Sequence, residues 1–186
     1  MAEKEASIII SGYGGQGVLS IGMAMSSCAM AEDRYVTWLP AYGAEMRGGT
    51  ANCTVIIANE EVASPYEQNP DYVIALNSQS VDKFEMKIKS GGMIVVNSSL
   101  FKGIERRKDI SYVYVPANEI ATEIGEIKCA NVVMLSAFIE KTKLIKIESL
   151  KKVIKNLFSS SKVNLLEINE LAIQKGAEYV KFPICS

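Results

Sequence analysis

The 186-residue sequence contains no histidine. That removes imidazole from acid-base catalysis and from metal ligation in this chain. Cysteine is nearly as scarce: Cys28, Cys53, Cys129 and Cys185 lie far apart with no C-x-x-C pair, whereas iron-sulfur clusters and structural zinc need clustered thiolate or imidazole ligands. A metal or cluster held by this chain is not expected, and the thiols read as reduced core residues. No apolar run approaches the roughly 20 residues that span a bilayer. The opening MAEKEASIII has acidic residues where a signal peptide would carry basic ones, so the expectation is a cytoplasmic chain that does not enter a membrane. A dominant charge is lacking too. The formal net charge is −1, and no basic run exceeds Arg106-Arg107-Lys108, so nucleic-acid binding has little support.

What is present is ordinary globular composition, 48% apolar and 22% charged, consistent with one domain over residues 1–186 and a sizeable core. The small net charge hides an asymmetry. Residues 1–100 hold 6 basic and 11 acidic side chains, while residues 101–186 hold 14 and 10. Lys141, Lys143, Lys146, Lys151, Lys152 and Lys155 lie on or beside a predicted helix and read as its solvated face. Eight methionines suggest adaptable apolar surface, so the isolated chain is expected to self-associate.

Periodicity predicts alternating strands and helices. Ile8-Ile9-Ile10 reads as a buried strand and Val18 to Ala31 as a helix, with Gly22, Ala24 and Ala29 small enough to let it lie close on a sheet. Val36 to Leu39 is a second strand that Pro40 should end. A strand over Asn52 to Ala58 follows, with a hairpin turn at Asn59-Glu60-Glu61. Further strands are expected at Tyr72 to Leu76, Met93 to Asn97 and Ser111 to Val115, with an amphipathic helix at Ser80 to Lys89. Helices then cover Asn118 to Ile124, Asn131 to Thr142, Ile147 to Phe158 and Leu165 to Lys175 or beyond. The fold class is α/β: a Rossmann-like, largely parallel sheet with an antiparallel hairpin and a helical C-terminal third.

SGYGGQG, residues 11–17, places Gly12, Gly14 and Gly17 on a G-x-G-x-x-G spacing between a strand and a helix. Glycines there permit a tight turn and let backbone N–H groups at a helix N-terminus approach an anion. A dinucleotide site also needs a carboxylate at the end of the second strand for the ribose hydroxyls. That strand ends Thr37-Trp38-Leu39-Pro40, and Glu32 and Asp33 precede it. The phosphate half of the fingerprint is met and the ribose half is not. Three readings stay open: glycines that only shape and pack the loop, a stand-alone nicotinamide- or flavin-binding oxidoreductase, and a nucleotide-binding regulatory module.

GYGGQG together with the second loop and strand, YGAEMRGGTANCTVII, is more specific than either alone. With SPYEQNPDYVIALNSQSVDKF, GGMIVVNSSL, ANVVMLSAF and NELAIQKGAEYV, the chain resembles the gamma subunit of 2-oxoacid:ferredoxin oxidoreductases from about residue 8 to residue 180. Tyr42-Gly43-Ala44-Glu45 favours the 2-oxoglutarate and branched-chain types. The resemblance implies membership of a complex that converts a 2-oxoacid and coenzyme A to acyl-coenzyme A and carbon dioxide, passing electrons to ferredoxin or another acceptor. Gly-Asp-Gly, which commonly opens a thiamine diphosphate and magnesium site, does not occur here. Thiamine diphosphate, magnesium and iron-sulfur clusters are therefore expected in partner chains, with no catalytic residue in this one. Coenzyme A is the ligand this chain could help hold, through Gly12, Gly14, Gly15, Gln16 and Gly17, the cation Arg47, and Asn77 at a strand's carboxyl end. Arg47 reads first as a loop residue paired with Glu45 or bonded to the next subunit's backbone and only second as a ligand contact, and Asn77 reads also as one bonded to its own turn.

Overall fold

The computed structural model describes residues 5–41, 50–157 and 163–181. Six strands form one sheet: β1 (Glu5–Tyr13), β2 (Tyr35–Ala41), β3 (Thr50–Ala58), β4 (Tyr72–Ala75), β5 (Met93–Asn97) and β6 (Ser111–Val115). The helices are α1 (Val18–Met30), α2 (Ser78–Phe84), α3 (Ala117–Ile124), α4 (Ala130–Thr142), α5 (Ile147–Leu157) and α6 (Val163–Lys181). The α/β class and the helical C-terminal third follow the sequence expectation. Among the described residues no helix is long and apolar enough to cross a membrane.

The strand order is β2-β3-β1-β4-β5-β6. β1, β4, β5 and β6 pair in parallel, and β3 runs antiparallel to both β1 and β2. The antiparallel hairpin is thus β2 with β3, and β3 wedges between β2 and β1. This corrects the expected hairpin turn at Asn59-Glu60-Glu61: β3 and β4 flank β1 on opposite sides, so the chain reverses direction by passing the amino end of β1 rather than through a tight turn between neighbouring strands. Pro40 does not end β2 either, for it pairs with Cys53 inside the strand. β2 is an edge strand, where the missing N–H of a proline can face outward without breaking a ladder.

The alternation along β1 sends Ile8 and Ile10 to one face and Ile9 to the other. The first face is covered by α1 and the C-terminal helices, which bury Met25, Cys28, Met134, Leu135 and Phe138 completely. Gly22 lets α1 come down on Trp38 and Cys53, since a Cβ there would strike the Cys53 sulfur. The second face is covered by α2, whose Val81 and Phe84 pack with Ile88 on Val73, Ile94 and Val96. Because α1 and α2 lie on opposite faces, the winding reverses between β1 and β4. In open α/β sheets the crevice at that reversal, beyond the strands' carboxyl ends, is where ligands bind.

Candidate functional site

The first strand runs through Gly12, which pairs with Ala51, to Tyr13. The chain then turns over exposed Gly14 and Gly15 into α1. Gly17 is the N-cap of α1 at φ 73°, with no side chain capping the helix. A side chain is doubly disfavoured there: φ is left-handed, and a Cβ would run into Asn131 Nδ2. Gln16 holds the turn closed. Its Oε1 accepts from Tyr13 N at 2.6 Å and from Asn77 Nδ2 at 3.0 Å, and its Nε2 donates to Leu76 O at 3.4 Å. The loop after β1 is therefore tied to the carboxyl end of β4.

Beside this loop lies a cleft of about 390 Å³, bounded by Gly15 to Gly17, Leu76, Asn97 from β5, Asn118 from α3, Lys128 in the 3-10 turn before α4, and Asn131 in the first turn of α4. Asn97 Nδ2 donates to Leu76 O at 3.3 Å and to Asn118 Oδ1 at 3.0 Å, while its Oδ1 accepts from Ala117 N at 3.3 Å. Asn131 Nδ2 approaches Gly17 O at 3.5 Å. The N-terminus of α4, like that of α1, has no side-chain cap. The described lining thus mixes carboxamides and backbone with the apolar side chains of Leu76, Ile127 and Ala130 and one cation, Lys128, with no carboxylate.

The structure brings Gly12, Gly14, Gly15, Gln16, Gly17 and Asn77 together at this end of the sheet. Asn77 is 1% exposed, caps α2 through Ser80 N at 2.9 Å, and reaches the loop through Gln16. It positions the loop rather than lining the cleft. Arg47, with the rest of its Arg-Gly-Gly loop, lies outside the described residues. Sequence reasoning missed Asn97, Asn118, Lys128 and Asn131. A signal was available: asparagine stands at the end of β4 and β5 and at the starts of α3 and α4, all of which the sheet gathers at its carboxyl edge. Glu32 has structural work instead of a ribose to meet. Its Oε1 accepts from Lys146 N at 2.8 Å and Ser149 Oγ at 2.6 Å, at the head of α5.

The three described cysteines are free and buried. Burial pushes the Cys28 and Cys53 thiols up to about 12 and Cys129 to about 11, aided by the Glu32 and Glu126 charges at Cys28 and Cys129 and opposed by the Trp38 contact at Cys53, so they stay protonated and unreactive at neutral pH. Among the described residues no group of cysteines and carboxylates could hold a metal ion.

The family model for pyruvate ferredoxin/flavodoxin oxidoreductase matches residues 7–179. Over 181 residues the chain is 39% identical to the ketoisovalerate oxidoreductase subunit VorA of Methanothermobacter thermautotrophicus, an alignment covering 95% of this chain and 37% of VorA. It therefore spans about a third of the length of such relatives. It is 32% identical to the 2-oxoglutarate synthase subunit KorC of Methanothermobacter marburgensis, covering 93% of this chain and 95% of KorC. The gamma subunit of keto/oxoacid ferredoxin oxidoreductase from Geobacter sulfurreducens has the same fold at a TM-score of 0.81 and 26% identity, with 95% of this chain and 98% of that one covered. The 2-oxoglutarate:ferredoxin oxidoreductase of Magnetococcus marinus, solved with 2-oxoglutarate, coenzyme A and succinyl-CoA bound, matches at a TM-score of 0.89 and 25% identity over 96% of this chain and 31% of that one. A family match over most of the sequence, together with these relatives, establishes that the chain belongs to the pyruvate ferredoxin/flavodoxin oxidoreductase family.

Proposed function

We propose that this chain, read as one gamma-type domain over residues 1–186, is a subunit of a cytoplasmic 2-oxoacid:ferredoxin oxidoreductase complex. The complex converts a 2-oxoacid and coenzyme A to acyl-coenzyme A and carbon dioxide, and the two electrons released pass singly to ferredoxin or another acceptor. Thiamine diphosphate, magnesium and iron-sulfur clusters belong to partner chains in this reading. The buried, scattered thiols described above are poor candidates for cluster ligands and accord with that division. This chain supplies binding and cover: the backbone N–H groups at Gly15 and Gly17, the head of α1 and Lys128 suit the coenzyme's diphosphate, and Gln16 and Asn77 keep the loop in shape. Gly12, Gly14 and Arg47 belong to the same proposed site. The observation that carries the reading is the cleft at the sheet's reversal point, in a domain that superposes on part of a coenzyme A-bound enzyme.

The 2-oxoacid proposed is 2-oxoglutarate. Identities of 36% and 39% to two ketoisovalerate chains, against 32% to the KorC chain above, support a second reading, a branched-chain 2-oxoacid. A substrate profile of the purified complex separates the two.

Reconstitution tests the whole. The chain alone is expected to be inert, and its addition to partner chains to restore coenzyme A-dependent turnover. Gly14→Val should raise KM for coenzyme A, and Arg47→Ala should lower kcat/KM for coenzyme A by about tenfold to a hundredfold if the guanidinium meets the ligand. Full activity from a complex lacking this chain overturns the proposal.

A further inference from the structure

Hydrogen-bond accounting in the cleft separates spent groups from unspent ones. Asn97 is fully committed as donor, with both N–H groups of Nδ2 bonded to Leu76 O and Asn118 Oδ1. Because Asn118 must present its oxygen to Asn97, the orientation of its carboxamide is determined. Its backbone N–H is fixed as well, donating to Ser99 Oγ at 3.0 Å. Asn118 Nδ2 is left without a partner among the described residues, on the wall of the cleft. At Asn131 the reverse holds: Nδ2 faces Gly17 O, and Oδ1 has no partner among the described residues. The cleft therefore offers one donor, on the Asn118 carboxamide that Asn97 orients, and one acceptor, on the Asn131 carboxamide whose Nδ2 faces Gly17 O. Its charge is a single lysine, Lys128, with no carboxylate among the described lining residues, so the two asparagines are neutral partners suited to a neutral part of the ligand.

From this arrangement we infer that Asn118 and Asn131 bind the neutral amide-bearing arm of the ligand, Asn118 Nδ2 donating to an amide carbonyl and Asn131 Oδ1 accepting from an amide N–H. The inference rests on the coenzyme A reading and assigns the two asparagines to the pantetheine portion, leaving the diphosphate to the glycine loop and Lys128. An amide presents one strong donor and one strong acceptor on opposite edges, so a fixed carboxamide pair complements it, and replacing the donor by an acceptor sets oxygen against oxygen.

The test uses the complex that copurifies with the tagged full chain. Inhibition constants against coenzyme A are measured for two fragments, S-methyl pantetheine and adenosine 3′,5′-bisphosphate, in about 0.3 M salt, where the Debye length falls to roughly 6 Å and an added exposed charge is screened. Asn118→Asp keeps the oxygen that Asn97 needs, so the melting temperature should not move. It turns the free donor into an acceptor, and the constant for S-methyl pantetheine should rise about tenfold while that for the bisphosphate stays within about twofold. An unchanged pantetheine constant overturns the inference, as does a bisphosphate constant that rises as much or more. A wild-type complex whose turnover ignores coenzyme A overturns the underlying reading first, and is recognised before any variant is made.

Discussion

The two faces of the sheet are held by different physics. On the first, α1 and the C-terminal helices bury large apolar side chains completely, among them Met25, Met134, Leu135, Phe138 and Leu150. Phe138 meets Tyr72 edge-on with ring centroids 5.6 Å apart. On the second, a short helix gives way to a one-turn 3-10 helix at Glu85–Lys87, and the irregular segment before β6 is fastened by charge. Glu85 is 0% exposed, and its Oε1 accepts from Arg106 N at 3.0 Å and from the Tyr112 hydroxyl. Arg106 Nε lies 3.2 Å from the other carboxylate oxygen, within ion-pair range. Burial, then the bond to Glu85, pushes the Tyr112 phenol up to about 12. Apolar burial is non-directional and tolerates neighbours that shift. A buried carboxylate is stable only while its particular partners stay in place. The first face thus carries the bulk of the stability, and the second spends polar specificity to fasten a segment with few apolar residues.

The sharpest challenge to that contrast is Phe138→Ala, which removes a fully buried ring from the helical face. It is expected to cost about 3–5 kcal/mol, read as the loss of unfolding free energy in denaturant titration. A cost below about 1.5 kcal/mol would deny the first face its leading role. Glu85→Ala should cost less, about 1–3 kcal/mol, because the Arg106 side chain is 43% exposed and turns to water once its partner is gone. Limited proteolysis should then cut between β5 and β6 while the helical face stays protected. Uniform loosening would show that the faces are coupled rather than distinct. Smallest is the effect at the amino ends of β1 and β4, which both faces share. There Asp71 accepts from Ser7 N at 2.9 Å and Ser7 Oγ at 2.6 Å, and pairs with Lys89. Burial opposes the Asp71 charge, yet the bonds from Ser7 and Lys89 prevail and hold the carboxyl below its ordinary 3.8. The folded state therefore gains from this group above the ordinary value and loses that gain as pH falls through 3.8 toward the folded one. Asp71→Asn should cost no more than about 1 kcal/mol at neutral pH and flatten that acid limb, measured as the melting temperature between pH 5 and 3.

Much of the fold was legible because it is local. The apolar triplet at Ile8 and the helical spacing of Val18, Ile21, Met25 and Cys28 each depend on residues a few positions apart. The expected strands and helices accordingly appear within a few residues of their places, except that the helix expected to run to Lys89 ends at Phe84 and passes into the 3-10 turn Glu85–Lys87. The glycine loop was legible for the same reason. Less so were Pro40, which reads as a terminator until β2 is known to be an edge, and Glu32, which the chain recruits to α5 from more than a hundred residues away.

From the sequence alone come the α/β alternation, the loop after β1, and the motifs that mark the family, since each is written in neighbouring residues and in the steric needs of glycine. Tertiary structure alone decided that β3 lies between β1 and β2, that Gln16 is pinned by Asn77, and that Asn97, Asn118 and Asn131 meet across one cleft. Those outcomes depend on which distant surfaces bury each other best. Strand order and a shared carboxyl edge are properties of that packing, and no periodicity along the chain encodes them.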